Sequence, residues 1–239
     1  MRVFAYLMLI ACLSAEAAPN FSATTISPVG DVQVLLPLPT GFVETSASSP
    51  DLWRTAQMFG TETTRTLSHY VLAIEFDTYK KGHSVVFSEY SFVKTPRQAE
   101  KLIATQSQFD KLRVDSIRSL TELIKSVEPS VASQIEKLSK DKDLSQRLET
   151  PLRLRIGDVV PVSINANRNN FVSYTVLSRL EATLPEGKSS NTWVQTVSAC
   201  LIKGKVILMY TYRLFRGPQD IAASREYGEL WAKHLFLSN

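Results

Sequence analysis

The C-terminal stretch constrains the fold most, because it has the pattern of strand, tight turn, strand and helix. Residues 193–202 and 206–215 are rich in β-branched, aromatic and aliphatic side chains. The Lys-Gly-Lys sequence between them predicts a hairpin turn with a positive φ at Gly204. Pro218 and Asp220 then predict a helix start, with proline in the first turn and a carboxylate at the positive helix end.

The helix that follows is amphipathic. At 100° per residue, its apolar face collects Ala223, Tyr227, Leu230, Trp231, His234 and Leu235. Charged side chains occupy the opposite face. We therefore expect this helix to pack one face against the sheet that contains the hairpin.

The rest of the chain adds strands and a long helical pattern. The further predicted strands are residues 32–36, 66–76, 84–94, 152–165 and 171–184. A short helix is predicted at 48–60 and a long amphipathic one across 96–150. With 44% hydrophobic and 21% charged residues, the chain has the composition of a globular protein with a sizeable core. The prediction is an α+β fold, a largely antiparallel sheet of about seven strands covered by the long amphipathic helix and the C-terminal helix.

The N-terminal residues have the pattern of an export signal. Arg2 precedes an apolar run over residues 3–13, and an Ala-Glu-Ala sequence ends at Ala17. This small-x-small pattern predicts cleavage before Ala18, with residues 1–17 as the signal peptide. The apolar run is shorter than the ~20 residues that span a bilayer. We therefore predict a periplasmic or secreted protein with no transmembrane segment in its mature chain.

A second interpretation of the N-terminus starts from Cys12. The Leu-Ile-Ala-Cys sequence that ends there resembles the bacterial lipobox, in which the cysteine is lipidated, and it predicts a membrane-anchored lipoprotein. An N-terminus at Ala18 would exclude this anchor. The other cysteine, Cys200, lies among apolar strand residues, which favours an inert buried thiol.

The predicted domain organisation is simple. Residues 18–30 are small and polar with two prolines and a glycine, and they are predicted to be a flexible lead-in. Residues 31–239 are predicted to form a single α+β domain with a helical insertion at 96–150. The net charge of +4 is dispersed along the chain, which argues against nucleic acid as a partner.

Few residues stand out as candidates for chemistry. No motif for a hydrolase elbow, a phosphate loop or a metal site is present, so neither cofactor nor metal is predicted. Arg113 falls in the apolar stripe of the long helix near Asp110, and it either binds an anion or extends its stem to water. Tyr210 and Tyr212 share one face of a strand, where they either pack in the core or form a binding surface. His234 is either a core-edge histidine or a ligand.

One segment resembles a known group of proteins. The Val-Leu-Leu-Pro-Leu-Pro-Thr-Gly-Phe sequence at 34–42, together with the strand-turn-strand-helix ending, resembles a group of exported, uncharacterised proteobacterial proteins over most of the mature chain. The same features are similar to the α/β sandwich of the photosystem extrinsic-subunit (PsbP-like) fold. The resemblance implies export and a fold, and it transfers no activity or functional residue.

These observations lead to one functional expectation and two alternatives. The leading expectation is an exported, non-catalytic binding or accessory module of the bacterial periplasm, with a ligand or an envelope protein as its partner and an oligomeric state that the sequence leaves open. One alternative is a hydrolase-type enzyme whose residues meet only in three dimensions. The other is a lipid-anchored envelope assembly factor.

Overall fold

The computed structural model describes residues 21–58, 62–118, 120, 153–184 and 187–239. Its strands are β1 (Phe21–Val29), β2 (Val32–Pro39), β3 (Phe42–Glu44), β4 (Thr64–Leu72), β5 (Glu89–Pro96), β6 (Arg153–Arg168), β7 (Phe171–Leu184), β8 (Gly187–Ile202) and β9 (Lys205–Leu214). Its helices are α1 (Thr45–Ser48), α2 (Pro50–Met58), α3 (Ala73–Lys80), α4 (Gln106–Arg118) and α5 (Pro218–Ser238), with a 3-10 turn at Arg97–Ala99.

The strands form a hairpin and a large antiparallel sheet. Within the described ranges the large sheet has seven strands in the order β3-β4-β5-β9-β8-β7-β6, while β1 and β2 pair only with each other. The predicted α+β fold with a sheet of about seven strands is confirmed. The terminal hairpin is also as predicted, since Lys203 and Gly204 have φ values of 49° and 76° in the turn between β8 and β9.

Helix α5 covers one face of the large sheet. Trp231 is fully buried there, its indole Nε1 donates to the carbonyl of Pro37 at 3.0 Å, and its ring meets Tyr70 edge-on at 5.5 Å. A Cβ at Gly228 would lie 2.9 Å from Cγ2 of Thr196. The helix therefore approaches the sheet closely, as its apolar pattern predicted.

Helix α4 packs on the opposite face. Phe109, which is 1% exposed, joins Val172, Ala199 and Val206 in a buried cluster. Of the long helix predicted across 96–150, the structure describes the 3-10 turn and α4. Residues 100–105, predicted to be helical, are not, because the carbonyls of Glu100 and Leu102 and the N–H of Ala104 bond to the β8-β9 hairpin instead. Residues 119 and 121–150, like the predicted signal peptide and Cys12, lie outside the described residues.

The predicted flexible lead-in was wrong for most of its length. Phe21–Val29 is strand β1, paired antiparallel with β2 from Phe21↔Pro39 to Val29↔Val32. The sequence pointed to a loop because of its prolines and small polar residues. Pairing satisfies the backbone of the segment, and Val29 is fully buried in the main core, so the strand is stable without a strongly apolar sequence.

Three element boundaries also differ from the prediction. Strand β4 ends at Leu72, and Ala73–Lys80 is helix α3, because β3 offers partners only as far as Leu72. Strand β5 begins at Glu89 rather than at residue 84, after the carboxylate of Glu75 binds the backbone and hydroxyl of Ser88 at 2.9 and 2.5 Å. Pro96, which was predicted to begin the long helix, is the last residue of β5.

A buried lysine joins three segments at one end of the molecule. Lys205, whose side chain is fully buried, donates to the carbonyls of Glu100 and Leu102, both at 3.0 Å, and to Oδ1 of Asp31 at 2.8 Å. The β1-β2 turn, the loop before α4 and the β8-β9 hairpin are thereby held together. We call this arrangement the Lys205 clamp.

None of the helices in the part of the chain that the structure describes is long and apolar enough to cross a bilayer.

Candidate functional site

Tyr210 and Tyr212 lie on the face of the sheet that α5 does not cover. Between them, the hydroxyl of Thr211 lies 3.4 Å from that of Ser224 on α5. Because side chains alternate along a strand, the two tyrosines point to the other face. The register pairs Tyr212 with Tyr90 of β5.

The paired strands bring aromatic rings into contact. Tyr90 and Tyr212 stack with ring centroids 4.7 Å apart and planes inclined by 13°, and Phe92 meets Tyr212 edge-on at 6.0 Å. Tyr90, Tyr210 and Tyr212 are half-buried. We call this surface the aromatic face. It consists of Tyr90, Phe92, Lys94, Tyr210 and Tyr212.

Lys94 places a positive charge among these rings. Its Nζ lies 4.9 Å from the ring centroid of Phe92 and 5.2 Å from that of Tyr210, and the residue is 8% exposed. Both distances are within the range of cation–π attraction. Burial lowers the pKa of Lys94 to about 8, so the ammonium is still mostly protonated at neutral pH. The aromatic face therefore carries a cation in a poorly solvated setting.

The tyrosine hydroxyls on this face stay protonated. Burial raises the pKa of Tyr210 to about 12 and holds the pKa values of Tyr90 and Tyr212 above their ordinary value. The amide of Gln195 on β8 donates to the hydroxyl oxygen of Tyr212 at 3.1 Å. The hydroxyls are thus neutral and able to donate hydrogen bonds.

His69 of β4 lies directly opposite Phe92 in the pairing of β4 with β5, on the same face of the sheet, and is buried. The two rings stack at 4.6 Å, and Nδ1 lies 3.1 Å from Oγ1 of Thr45. Burial, assisted by the charge of Lys94, lowers the pKa of His69 from 6.5 to about 3. The imidazole is therefore neutral and a weak base, which is the state of a packed histidine rather than of a general base at neutral pH.

This buried histidine makes the stability depend on pH. Because its pKa is lower in the folded state, the unfolded chain takes up the proton first, and stability falls as pH drops from about 6.5 towards 3. Between pH 7 and pH 5 we expect His69 to remove about 2 kcal/mol of unfolding free energy.

Urea unfolding of the parent protein and of His69→Gln at pH 7 and pH 5 tests this expectation. The loss of unfolding free energy between these pH values should be about 2 kcal/mol smaller in His69→Gln. The exposed His83 is the matched control, and His83→Gln should keep the loss of the parent protein. An unchanged pH dependence in His69→Gln would contradict this assignment.

The other residues singled out from sequence lie elsewhere. Arg113 on α4 pairs with Asp110 at 3.4 Å and donates to the side-chain oxygen of Asn167, at the end of β6. His234 is half-buried on α5, across the sheet from the aromatic face. The structure therefore brings Tyr210 and Tyr212 together but leaves Arg113 and His234 apart from them.

Cys200 is a buried free thiol, and burial raises its pKa well above the ordinary value, which keeps it unreactive. In the ranges that the structure describes, no three His, Cys, Asp or Glu side chains come close enough together to hold a metal ion.

An open groove lies beside α5. It has a volume of about 410 Å³ and lies between α5 and the turn that joins β6 to β7. Phe171 and Phe236 contribute apolar surface, whereas Glu229 and Lys233 contribute opposite charges. The groove thus has no dominant charge, unlike the aromatic face.

Sequence reasoning missed Lys94 and its neighbours on β5. The signal was present, because Tyr90, Phe92 and Lys94 alternate and must share one side of a strand. The pattern could not show that β5 pairs with β9. Strand β9 begins at Lys205, more than a hundred residues after β5 ends at Pro96. Only this pairing places Lys94 beside Tyr210.

Comparison with known proteins adds little. No protein-family model matches the chain, and no curated protein matches it at a significant level. The crystal structure of the Ran-binding protein Mog1p from Saccharomyces cerevisiae is similar at 9% sequence identity, with 92% of this chain and 93% of that chain covered and a TM-score of 0.31. A score of this size is too low to transfer anything from Mog1p to this chain.

Proposed function

We propose that this chain is an exported, non-catalytic binding module that holds its ligand against the aromatic face. The observation that carries the proposal is the position of Lys94, between the rings of Phe92 and Tyr210 and beside the stacked Tyr90 and Tyr212. Tyr90, Tyr210 and Tyr212 are only half-buried, and aromatic rings with accessible surface can pack against planar apolar groups.

The export part of the proposal is supported by the N-terminal pattern. Arg2, the short apolar run and the small residues around Ala17 favour removal of a signal peptide. The mass of the protein isolated from its native host tests it. A chain that begins at Ala18 is the expected result, a lipidated Cys12 would favour an anchored protein, and an uncleaved chain in the cytoplasm would contradict export.

A neutral aromatic probe tests the binding part. Tryptophol, an indole with a hydroxyethyl group, should bind with a Kd on the order of 1 mM, given about 0.3 kcal/mol per heavy atom for ordinary ligands. We expect Tyr210→Leu to weaken this binding about tenfold, because the substitution removes a stacking ring but keeps apolar volume. Isothermal titration of the mature protein measures both values.

The matched control is a tyrosine away from the aromatic face. Tyr79 on α3 is half-buried against Phe76 and Phe87, at 6.4 and 6.1 Å between ring centroids. Tyr79→Leu should bind tryptophol as the parent protein does. Absence of saturable binding, or an equal loss in both variants, would place the ligand site elsewhere.

A further inference from the structure

We propose that the loop before α4 contacts a lipid bilayer, with Leu102 and Ile103 in the bilayer interface and Lys101 and Lys203 on its anionic headgroups. We call these four residues the basic-apolar tip. None of them belongs to the aromatic face, so this inference does not depend on the ligand proposed for that face. The exposure, the backbone contacts, the charge and the size of the tip support it in turn.

Two large aliphatic side chains stand next to each other on the surface of this loop. Leu102 is 62% exposed and Ile103 is 68% exposed, whereas the following Ala104 packs against the buried cluster around Phe109. Single aliphatic residues are common on protein surfaces, but contiguous ones mark contact sites. The loop therefore turns Ala104 to the core and its larger neighbours outward.

The backbone contacts of the loop keep these side chains outside. Lys205 donates to the carbonyls of Glu100 and Leu102, both at 3.0 Å, and the N–H of Ala104 donates to a carbonyl of the β8-β9 hairpin at 2.8 Å. These bonds fix the loop on both sides of Ile103. Because the loop cannot turn its aliphatic side chains inward, their hydration cost is removed only by an external apolar partner.

Lys101 and Lys203 place positive charge beside the aliphatic pair. Both are exposed, and among the described residues neither forms an ion pair. Lys203 donates to the carbonyl of Gln33 at 3.3 Å, and its ammonium has two further N–H donors. Both lysines are therefore open to an anionic partner.

The acidic side chains nearest to the tip are bound by basic residues. Asp31 pairs with Lys205 at 2.8 Å, and Glu100 pairs with Arg65 at 2.9 Å. Glu62, just before β4, is a further acid at this end of the sheet, and the two lysines of the tip outnumber it. The charge of the tip thus complements an anionic surface.

The size of the tip favours a bilayer over a protein partner. Two exposed side chains provide much less than the ~800 Å² that each partner buries in a stable protein interface. A bilayer needs no complementary shape, because aliphatic side chains enter among the headgroups while lysines extend to the phosphates. Apolar burial and attraction to anionic lipids then add up.

Vesicle sedimentation tests this contact on protein that begins at Ala18, which lacks both the N-terminal apolar run and Cys12. One set of vesicles contains equal parts of phosphatidylglycerol and phosphatidylcholine, and the other contains phosphatidylcholine alone. We expect binding to the anionic vesicles at low salt. Binding to the neutral vesicles should be about thirtyfold weaker, because two lysines lose their attraction to the surface.

The aliphatic pair is tested by substitution. Leu102→Ser and Ile103→Ser should each weaken binding to the anionic vesicles about tenfold, since each removes an apolar side chain that the bilayer buries. Ile74→Ser is the matched control and should bind as the parent protein does. Ile74 is 76% exposed on α3, which follows the opposite end of β4, about 30 Å away.

The charges are tested in the same way. Lys101→Gln and Lys203→Gln should each weaken binding to the anionic vesicles about fivefold. Lys81→Gln, at an exposed position just after α3, is the control and should leave binding unchanged. Circular dichroism of each variant checks that it is folded.

Several results would overturn the inference. They are absence of binding to the anionic vesicles, equal binding to the neutral ones, unchanged binding in the Lys101 and Lys203 variants, and a loss in Ile74→Ser as large as in Ile103→Ser. Self-association in analytical ultracentrifugation that Ile103→Ser abolishes, without vesicle binding, would assign the tip to a second copy of the chain and overturn the inference as well.

Discussion

Replacing Gly30 by alanine is expected to lower the free energy of unfolding by about 3 kcal/mol. A Cβ at this position would lie 2.0 Å from the carbonyl oxygen of Glu100, and the residue has a φ of +61°. That carbonyl cannot retreat easily, because it accepts from Lys205 and because the Glu100 carboxylate is bound by Arg65 at 2.9 and 3.0 Å. The β1-β2 turn must therefore shift away from the core.

Gly41→Ala and Gly82→Ala separate the close contact from backbone strain. These glycines have φ values of +82° and +84°, and a Cβ at either meets nothing within 4 Å. Each control should cost only about 1 kcal/mol, the penalty of a left-handed alanine. Chemical denaturation of the three variants measures the difference. A loss at Gly30 no larger than in the controls would show that the β1-β2 turn does not lie against the loop before α4.

Lys205→Met is expected to cost about 3 kcal/mol of unfolding free energy. The substitution keeps the apolar stem but removes three hydrogen bonds, to the carbonyls of Glu100 and Leu102 and to Asp31. The hydrogen bond from Lys205 holds the pKa of Asp31 below its ordinary value, which favours the charged form of that carboxylate. Losing the clamp should loosen the start of α4 as well as the β1-β2 turn.

Lys203→Met is the control for this variant. Lys203 lies in the same hairpin, is exposed and donates a 3.3 Å hydrogen bond to the carbonyl of Gln33. We expect it to change stability by less than ~0.5 kcal/mol. Thermal and urea unfolding of both variants provide the comparison. Equal stability of Lys205→Met and the parent protein would mean that the three segments are held by other contacts.

The C-terminal half of the fold could be predicted because its signals are local. The Gly204 turn, the β-rich runs on either side of it and the Pro218 helix start each lie within a few residues of the structure that they determine. The long strand β6 was likewise predicted, at residues 152–165, and it spans Arg153–Arg168 in the structure. Its register shifts between Ile156 and Val159, and again after Pro161.

The elements that the sequence did not predict depend on contacts made outside their own segment. The segment from Phe21 to Val29 is a strand because β2 pairs with it and the core buries Val29. Ala73 begins a helix because β3 ends and the carbonyl of Gly41 accepts its N–H at 2.8 Å. Neither contact leaves a periodic pattern in the segment itself.

For the same reason, the sequence identified only part of the candidate site. Tyr210 and Tyr212 were identifiable by their alternation on one strand. Lys94 lies beside Tyr210 only because β5 pairs with β9, and these two strands are far apart in the sequence. Arg113 stood out because it broke an apolar stripe, and the structure explains that break by Asp110 and Asn167.

The most direct test of the binding proposal is to locate a bound probe. Intermolecular nuclear Overhauser effects, measured between tryptophol and the mature protein with labelled aromatic residues, report which rings the probe touches. The account predicts contacts from the indole to the rings of Tyr210 and Tyr212. Contacts to Phe171 and Phe236 instead, in the groove beside α5, would contradict it.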